Sequence, residues 1–487
     1  MLVQESNIME VIKRIKKEKV VALDFETISL KDKTPVAMSF ACGKDVYFVP
    51  LKMKYFMNVS EDGLNTLLIE LVQHELVFHH SAFDLQVLAN IGIVLTNAPH
   101  DTLIISHILN ENESHKLKDL TAKYLKYDMI KFKEVCGTGK KQIGFHDVQD
   151  KELAEKYASD DAKYTLQLFN LMYPQIQKDK MFIMVYGIEK ELLLVVNDMH
   201  LQGVPVAKSK IAKVRKTCEE QVENFKGKLD YYMADVNLNS PKQLKEYFID
   251  KKRLPIHKRS QRTNEPSVDA EVLKKYADAG SREAKWILKY REYNKILSTF
   301  VPALQPDDEG LIHPHFHQVG TTSGRFSSSE PNFQNIPAHD DLDIRDVITA
   351  PKGYTFVGAD YSQMELRLAG HFSQDKNMLR IFQKGLDIHT ETATKVGCPR
   401  SPDAKTINFG ILYGMGVQAL AKNIKKTRME ATQYIHDYYK TYPDLQKWLV
   451  KSRQEAFDNK EVSLLYGRKR HLQTTMKTSQ IGRRVEC

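Results

Sequence analysis

The sequence lacks the features of a membrane or secreted protein. No apolar run approaches the ~18 residues that span a bilayer. Residues 1–19 mix charges early and show no signal-peptide apolar core, so we expect no secretion signal. The cysteines form no CxxC pair and are odd in number, which indicates a reducing, cytosol-like compartment. They are Cys42, Cys136, Cys218, Cys398 and Cys487.

A strong excess of charge of one sign is also absent. There are 71 lysines and arginines against 62 aspartates and glutamates, which gives a net charge of +9. This mild basic excess is compatible with a nucleic-acid partner but does not establish one. The 487 residues suffice for roughly two to four domains. A content of 42% hydrophobic and 27% charged residues is ordinary for a globular protein.

The most informative stretch is 351–371, PKGYTFVGADYSQMELRLAGH. Its apolar segment TFVGA predicts a short buried strand that ends at Asp360, followed by a helix that carries Glu365 and Arg367. A buried carboxylate is costly unless it is paired or binds a metal, and clustered carboxylate oxygens suit Mg²⁺. The alternative is a plain strand-to-helix turn with Asp360 as a helix cap.

Near the N-terminus, KVVALDFE predicts a buried strand that ends with Asp24 and Glu26. Side chains two residues apart on a strand share one face, so both carboxylates are expected to converge. Taken alone, such a pair is more often a structural salt-bridge site than a metal site.

Two later helical patterns add polar side chains that could join this pair. Asp84 opens the pattern HHSAFDLQVLANIG, and Tyr157 and Asp161 lie four residues apart on one face of KELAEKYASDDAKYTLQLFNLM. Asp84 could instead be a helix cap, and Tyr157 a core residue with a solvated hydroxyl.

The middle of the chain, from about 186 to 304, has the three- and four-residue apolar spacing of helices. Asn239 and Ser240 before Pro241 predict a helix N-cap and first turn. The basic run from Lys251 to Arg262 contains proline and predicts a loop, for which simple solvation is the default interpretation.

Two further motifs lie in the last third of the chain. TTSGRFSSSEPNFQNIP (321–337) has the composition of a polar loop. SPDAKTINFGILYGMG (401–416) predicts a helix with Ser401 as N-cap and Pro402 in the first turn. Lys405, Phe409 and Tyr413 recur every four residues along it, a spacing at which aromatic residues often belong to the core.

The order and spacing of the N-terminal motifs resemble the 3′→5′ proofreading exonuclease domain of family A DNA polymerases, which has an RNase H-like fold. The resemblance covers residues 19–175. It implies that Tyr157 orients an attacking water and that His80 replaces a usual asparagine, which we expect to tune the site. The divalent metal ligands that it implies are Asp24, Glu26, Asp84 and Asp161.

The later motifs resemble the thumb, palm and fingers of the same family. The resemblance implies that Asp360 and the Tyr361 carbonyl bind a catalytic metal, and that Glu365 is a steric gate against ribonucleotides. It implies nucleotide contacts by His389, Lys405, Phe409 and Tyr413. The primer–template contacts that it implies are Arg325, Gln334, Asn335 and Arg345.

The chain also departs from the family pattern. Ser401 stands where the family has an arginine four residues before Lys405, and Arg400 lies one residue earlier. LLYGRKRHL (464–472) and TSQIGRRVEC (478–487) match the family, but a His-Asp-Glu hairpin with the second carboxylate would follow beyond them. His339-Asp340-Asp341 is interpreted as surface. We therefore expect an incomplete palm, which a second polypeptide could complete.

These observations predict an α/β multidomain protein, an RNase H-like exonuclease domain followed by an incomplete right-hand polymerase. The expected domains are the exonuclease (1–185), the thumb (186–304), part of the palm (305–375), the fingers (376–463) and the start of a return to the palm (464–487).

The expected function is template-dependent DNA synthesis with proofreading, in the cytoplasm of a bacterial or phage-infected cell. We expect Mg²⁺, or Mn²⁺, as cofactor, primer–template DNA and deoxynucleoside triphosphates as partners, and no membrane. The alternatives are a stand-alone 3′→5′ exonuclease with a polymerase-inactive remnant and a non-catalytic fragment that binds primer–template.

Overall fold

The computed structural model describes residues 1–260, 263–337 and 342–472 and forms two compact units. The first comprises 1–197, 318–325 and the residues from 358 onward, and the second comprises 198–317 and 326–357. The interpretations of His339-Asp340-Asp341 and of 478–487 lie outside the described residues. Within those ranges, no helix is long and apolar enough to cross a membrane.

The N-terminal part of the first unit is built on a five-stranded sheet with the strand order β3-β2-β1-β4-β5. β1 pairs antiparallel with β2 and parallel with β4, so it lies at the centre of the sheet. A central strand is fixed by ladder hydrogen bonds along both edges. The strands are β1 (Val20–Thr27), β2 (Pro35–Cys42), β3 (Asp45–Pro50), β4 (Glu75–Phe78) and β5 (His100–Asp101).

Helices cover both faces of this sheet. The helices of this part are α1 (Ile8–Ile15), α2 (Glu61–Leu71), α3 (Ser81–Asn90), α4 (Thr102–Leu109), α5 (Leu117–Leu120), α6 (Phe132–Cys136), α7 (Lys151–Gln177) and α8 (Lys180–Gln202).

The alternation of side chains along β1 decides where the acidic residues point. Val21, Leu23 and Phe25 are buried in a core with α1 and α2. Ala22 faces the opposite side and packs in the core that includes α4 and α7. Because side chains alternate along a strand, Asp24 and Glu26 share the face of Ala22. The predicted strand with two carboxylates on one face is therefore confirmed.

The second unit is mainly helical, as the spacing predicted for the middle of the chain. Ser240 accepts a hydrogen bond from the Gln243 backbone and precedes Pro241 at the first helical position, so the predicted cap is confirmed. The elements are β6 (Val204–Pro205), α9 (Lys208–Met233), α10 (Pro241–Lys245), α11 (Ala270–Asp278), α12 (Arg282–Lys295), α13 (Val301–Ala303), β7 (Leu311–Ile312), β8 (His315–His317) and β9 (Ser327–Ser329).

The C-terminal part of the first unit packs helices around one apolar core. A π-helical turn, Arg400–Ala404, leads into α17. The elements are α14 (Met364–Ser373), α15 (Lys376–Gln383), α16 (Ile388–Val396), α17 (Lys405–Leu412), α18 (Val417–Asn423), α19 (Arg428–Thr441), α20 (Pro443–Asn459), β10 (Glu461–Ser463) and β11 (Lys469–His471).

The predicted buried strand TFVGA is wrong for this structure. Residues 354–361 have no regular secondary structure, and Val357 is 90% exposed. A strand needs a neighbour to satisfy its backbone groups, and no strand of the described ranges pairs with this segment. The helix predicted after it is confirmed as α14.

The predicted N-cap at Ser401 is also wrong. Helical structure begins one residue earlier at Arg400, with Pro399 as the capping residue. The Ala404 N–H donates to the Pro399 carbonyl at 3.0 Å, a bond that closes the wider π turn. Pro402 is tolerated there because the first N–H groups of a helix have no intrahelical acceptor.

Candidate active site

The strongest candidate site lies between the central strand and the long helix of the N-terminal sheet. β1 supplies Asp24 and Glu26, and α7 supplies Asp161. One carboxylate oxygen from each lies within 4.8 Å of the others. Among the described residues, no other set of three such side chains converges in this way. The structure therefore brings together carboxylates that are 137 positions apart in the chain, from Asp24 to Asp161.

Asp84 completes the acidic lining from the first turn of α3. It is 3% exposed, and its Oδ1 accepts a hydrogen bond from the Phe25 N–H at 3.1 Å. This bond ties the helix to β1 next to Asp24. Asp84 lies outside the group of three but lines the same cleft, of about 820 Å³. It does not cap α3, because His80 occupies the N-cap position.

The electrostatics of this cleft favour a bound cation. Burial, and next the charge of Asp161, raise the pKa of Asp24 and of Glu26 well above its usual value. Burial raises the pKa of Asp161 to about 7. The Asp161 Oδ1 is buried and has no hydrogen-bond partner. Crowded carboxylates with an unpaired oxygen fit a divalent metal ion, which would supply the missing positive charge.

Tyr157 lies on α7 one turn before Asp161 and lines the cleft. Burial raises its pKa, so the hydroxyl stays protonated. The rings of Phe145 and Phe132 lie 5.7 and 6.3 Å from the Tyr157 ring. No pattern in the sequence indicates one further neighbour, Lys118, whose ammonium lies 4.6 Å from the ring centroid. A lysine in a four-residue helix carries no sequence signal of that kind.

His80, where the family usually has asparagine, adopts a left-handed backbone conformation with φ = 71°. Its N–H donates to Asp101 Oδ1 at 3.0 Å, and its side chain lines the cleft. Asparagine and histidine are among the residues that most readily accept positive φ. The positive φ at position 80 therefore explains how histidine can replace asparagine there.

The structure places the residues of the second predicted metal site on an exposed segment. Asp360 lies on the exposed segment before α14, and Tyr361 is 82% exposed. No other metal-binding group of His, Cys, Asp or Glu forms around Asp360 within the described ranges.

Glu365, by contrast, is tightly held. Arg325 Nη2 lies 2.5 Å from Glu365 Oε1, and the Tyr413 hydroxyl donates to Glu365 Oε2. The structure thus joins three residues for which the family resemblance implies contacts with the ribose, the primer–template and the nucleotide. Hydrogen bonds from a guanidinium and from a hydroxyl hold this half-exposed carboxylate in place.

Arg400 is engaged rather than free. Its guanidinium lies 2.8 Å from Asp387 Oδ2 and donates to the Thr390 hydroxyl at 3.1 Å. Asp387 also caps α16 by accepting from the Thr390 N–H at 2.7 Å. Although burial opposes the effect, the hydrogen bonds from Arg400 and Thr390 lower the pKa of Asp387 to about 2.

The remaining nucleotide candidates lie around α17. Lys405 is exposed at its start, and the ring centroids of Phe409 and Tyr413 are 6.5 Å apart. His389 is 5% exposed, and its Nδ1 lies 3.1 Å from the side-chain nitrogen of Asn408. Burial lowers the pKa of His389, so its ring is neutral at pH 7.

Three predicted DNA contacts belong to the second unit. Arg345 donates to the Ile336 carbonyl at 2.8 Å, and Gln334 donates to the Phe326 carbonyl at 3.0 Å. Asn335 ends a short 3₁₀ turn. These bonds shape the polar loop of 326–337.

Family models match both parts of the chain. The model described as 3′-5′ exonuclease matches residues 1–177, which contain the carboxylate cluster. The model described as DNA polymerase family A matches residues 208–486, more than half of the chain. The chain therefore belongs to DNA polymerase family A, and the resemblance seen in the sequence is confirmed.

Individual relatives agree with this assignment. DNA polymerase I of Pseudomonas aeruginosa is 33% identical over 95% of this chain and 53% of that protein. DNA polymerase I of Chloroflexus aurantiacus is 31% identical over 95% of this chain and 51% of that protein. The thermostable DNA polymerase I of Thermus aquaticus is 34% identical over 65% of this chain. The chain spans about half the length of the curated relatives it matches.

A solved structure supports the fold. The polymerase domain of Pol1 from M. smegmatis, in complex with DNA primer-template and dNTP, matches with a TM-score of 0.84. The match covers 100% of this chain and 84% of that chain, at 20% identity. At this identity the likeness concerns the fold alone, and the predicted fold class is confirmed.

Proposed function

We propose that this chain combines a 3′→5′ exonuclease with a DNA-directed DNA polymerase. Membership of family A and the exonuclease match over 1–177 support the assignment. The polymerase reaction would join a deoxynucleoside triphosphate to a primer 3′-hydroxyl opposite a template base, with release of pyrophosphate. The exonuclease would remove nucleotides from the 3′ end, as proofreading in DNA replication or repair requires.

In the exonuclease, Asp24, Glu26, Asp84 and Asp161 would hold two divalent ions, Mg²⁺ or Mn²⁺. Such ions stabilise charge on the attacking and leaving oxygens of an in-line displacement at phosphorus. Tyr157, with its hydroxyl protonated, would orient the attacking water by a hydrogen bond. The observation that carries the proposal is the convergence of three carboxylate oxygens within 4.8 Å, one of which belongs to a side chain with an unpaired buried oxygen.

In the polymerase, Asp360 and the Tyr361 carbonyl would contribute to metal binding, and Glu365 would exclude a ribose 2′-hydroxyl. The aromatic and basic side chains at the start and end of α17 would bind the incoming nucleotide together with α16. The nucleotide contacts are His389, Lys405, Phe409 and Tyr413, and the primer–template contacts are Arg325, Gln334, Asn335 and Arg345.

The alternative of a stand-alone exonuclease is not favoured by the comparisons, because the family A model matches residues 208–486. Asp360 is exposed and has no convergent carboxylates in the described part of the chain, so primer extension is the activity to be tested. A second polypeptide that completes the polymerase site has no support in the comparisons. We place the protein in the cytoplasm of a bacterial or phage-infected cell, bound to primer–template DNA.

The test separates the two activities in the purified full chain. Degradation of a 5′-labelled single-stranded oligonucleotide with Mg²⁺ reports the exonuclease, and extension of a primer on a template reports the polymerase. We expect Asp24→Ala to abolish degradation and to leave extension intact, because Asp24 belongs to the carboxylate cluster alone. Asp360→Ala should have the reverse effect.

The outcomes distinguish the candidates. Degradation that persists in Asp24→Ala would refute the exonuclease assignment. Degradation without any extension by the wild type would support the stand-alone exonuclease, and neither activity would refute both.

A further inference from the structure

One lysine outside the predicted site is held against it. Lys118 lies in α5 and is half-buried, whereas Lys116 and Lys123 on either side are exposed. Its ammonium donates to the Ile130 carbonyl at 2.5 Å and lies 4.6 Å from the centroid of the Tyr157 ring. Burying part of an ammonium costs free energy unless the charge is paired. Favourable interactions of Lys118 within the site must therefore offset this cost.

The compensation comes from two sides. A cation over the face of a tyrosine ring is attracted by the ring quadrupole. Tyr157 lies one turn before Asp161 and lines the cleft of the three carboxylates, so the positive charge of Lys118 also lies beside the carboxylate cluster. A single cation therefore lies beside both the proposed metal ligands and the aromatic residue next to them.

We propose that Lys118 is a positioning residue of the exonuclease site, which fixes the ring of Tyr157 and offsets part of the charge of the carboxylate cluster. The inference rests on the proposed exonuclease function. The Lys118 ammonium is anchored to Ile130, and the Tyr157 ring contacts this fixed cation as well as the aromatic rings of Phe132 and Phe145. The Tyr157 hydroxyl is then pre-oriented for the attacking water.

A purely structural role would give different results. If Lys118 only joined α5 to the segment around Ile130, its replacement would lower thermal stability and would change neither metal affinity nor turnover selectively. If Lys118 acts by its charge and its contact with Tyr157, two effects of opposite sign are expected. Loss of a nearby positive charge strengthens binding of a divalent cation, whereas loss of the ring contact slows the reaction.

The experiment compares Lys118→Met, Lys118→Arg and the wild type as full chains. Methionine keeps the length and packing of the side chain and removes the charge, and arginine keeps the charge. Lys123→Met is the matched control, because Lys123 lies five residues further along the chain, is exposed and pairs with Glu113 at 2.6 Å. Mn²⁺ affinity is measured by electron paramagnetic resonance of the free ion, without DNA. The values of kcat and KM are measured on a single-stranded oligonucleotide.

We expect Lys118→Met to bind Mn²⁺ about threefold more tightly and to show a kcat about tenfold lower with KM unchanged. Lys118→Arg should keep the wild-type Mn²⁺ affinity and recover part of the kcat, and Lys123→Met should match the wild type in both. Unchanged Mn²⁺ affinity and kcat in Lys118→Met would overturn the inference, as would equal losses in the methionine and arginine variants. An inactive wild type would refute the proposed function, and the Mn²⁺ comparison would still decide the inference.

Discussion

The two acidic sites of this chain differ in how far the fold assembles them. Asp24, Glu26 and Asp161 converge within 4.8 Å in a cleft, whereas Asp360 lies on an exposed segment without regular structure. Both sites were predicted from a carboxylate at the end of an apolar run. The difference shows that an apolar run ending in a carboxylate does not by itself form a metal site. Neighbouring strands and helices must also hold that segment in place.

The neighbours differ in a simple physical way. β1 is bonded on both edges, by β2 and by β4, and its alternate side chains meet α7. This pairing and packing fix the position and orientation of each carboxylate before any ligand binds. Residues 354–361 have no strand partner in the described ranges, so their apolar side chains are exposed and Asp360 is not directed at other acidic groups.

The largest expected effect tests whether the assembled cluster is catalytic. Asp161→Asn keeps the shape of the side chain and removes its charge, so we expect hydrolysis of a single-stranded 3′ end to fall by at least about a hundredfold. The adjacent Asp160→Asn is the control, since Asp160 accepts from the Tyr127 hydroxyl and is not part of the converging group. Equal rates for the two variants in a gel-based degradation assay would contradict a catalytic role of the converging carboxylates.

A smaller effect tests whether the segment that leads into α17 binds a nucleoside triphosphate. Arg400→Ala should weaken binding of a deoxynucleoside triphosphate by about tenfold, as expected for the loss of a hydrogen bond from a charged group. Asp387→Asn should strengthen it, because asparagine still caps α16 but no longer pairs with Arg400. Affinities are measured by isothermal titration with Mg²⁺. Equal affinities of all three proteins would mean that Arg400 serves only the cap of α16.

Much of the proposed exonuclease site could be predicted because local patterns determine it. Strand alternation placed Asp24 and Glu26 on one face, and helical spacing placed Tyr157 and Asp161 on another. Lys118 could not be found in this way, because its contact with Tyr157 joins segments that the sequence does not relate. The positive φ of His80 could not be predicted from the sequence either. Histidine in place of asparagine is nevertheless consistent with it, because both residues accept positive φ readily.

The errors in the C-terminal part have physical reasons of the same kind. TFVGA has the composition of a strand, but a strand exists only when another pairs with it. Ser401 before Pro402 has the composition of a cap, but the wider turn that begins at Arg400 places it inside the helix. Composition predicted which residues favour each structure, and the contacts with the rest of the chain decided the outcome.

The smallest expected effect concerns stability without metal. A carboxyl whose pKa is raised by folding stabilises the native state while it is protonated, and this stability is lost as the pH rises from its unfolded value through its folded value. For Asp161 that interval runs from 3.8 to about 7, and Asp24 and Glu26 are shifted in the same direction. Burial lowers the pKa of His79, His100 and His107 to about 4. These neutral histidines have the opposite pH dependence: their contribution to stability is present above pH 6.5 and is lost as the pH falls from 6.5 through 4.

Between pH 6.5 and 8.5 in EDTA, the melting temperature of the wild type should therefore fall by about 2 °C more than that of Asp161→Asn. The variant lacks one of the shifted groups, and it also relieves the repulsion that raises the pKa of Asp24 and Glu26. Saturating Mg²⁺ should reduce the fall in the wild type and have little effect in the variant, because a bound cation favours the ionised carboxylates. Parallel pH profiles for the two proteins, measured by differential scanning calorimetry, would show that the cluster is not electrostatically strained. The cluster of Asp24, Glu26 and Asp161 would then not differ from the exposed Asp360 in the electrostatic cost of its ionised carboxylates.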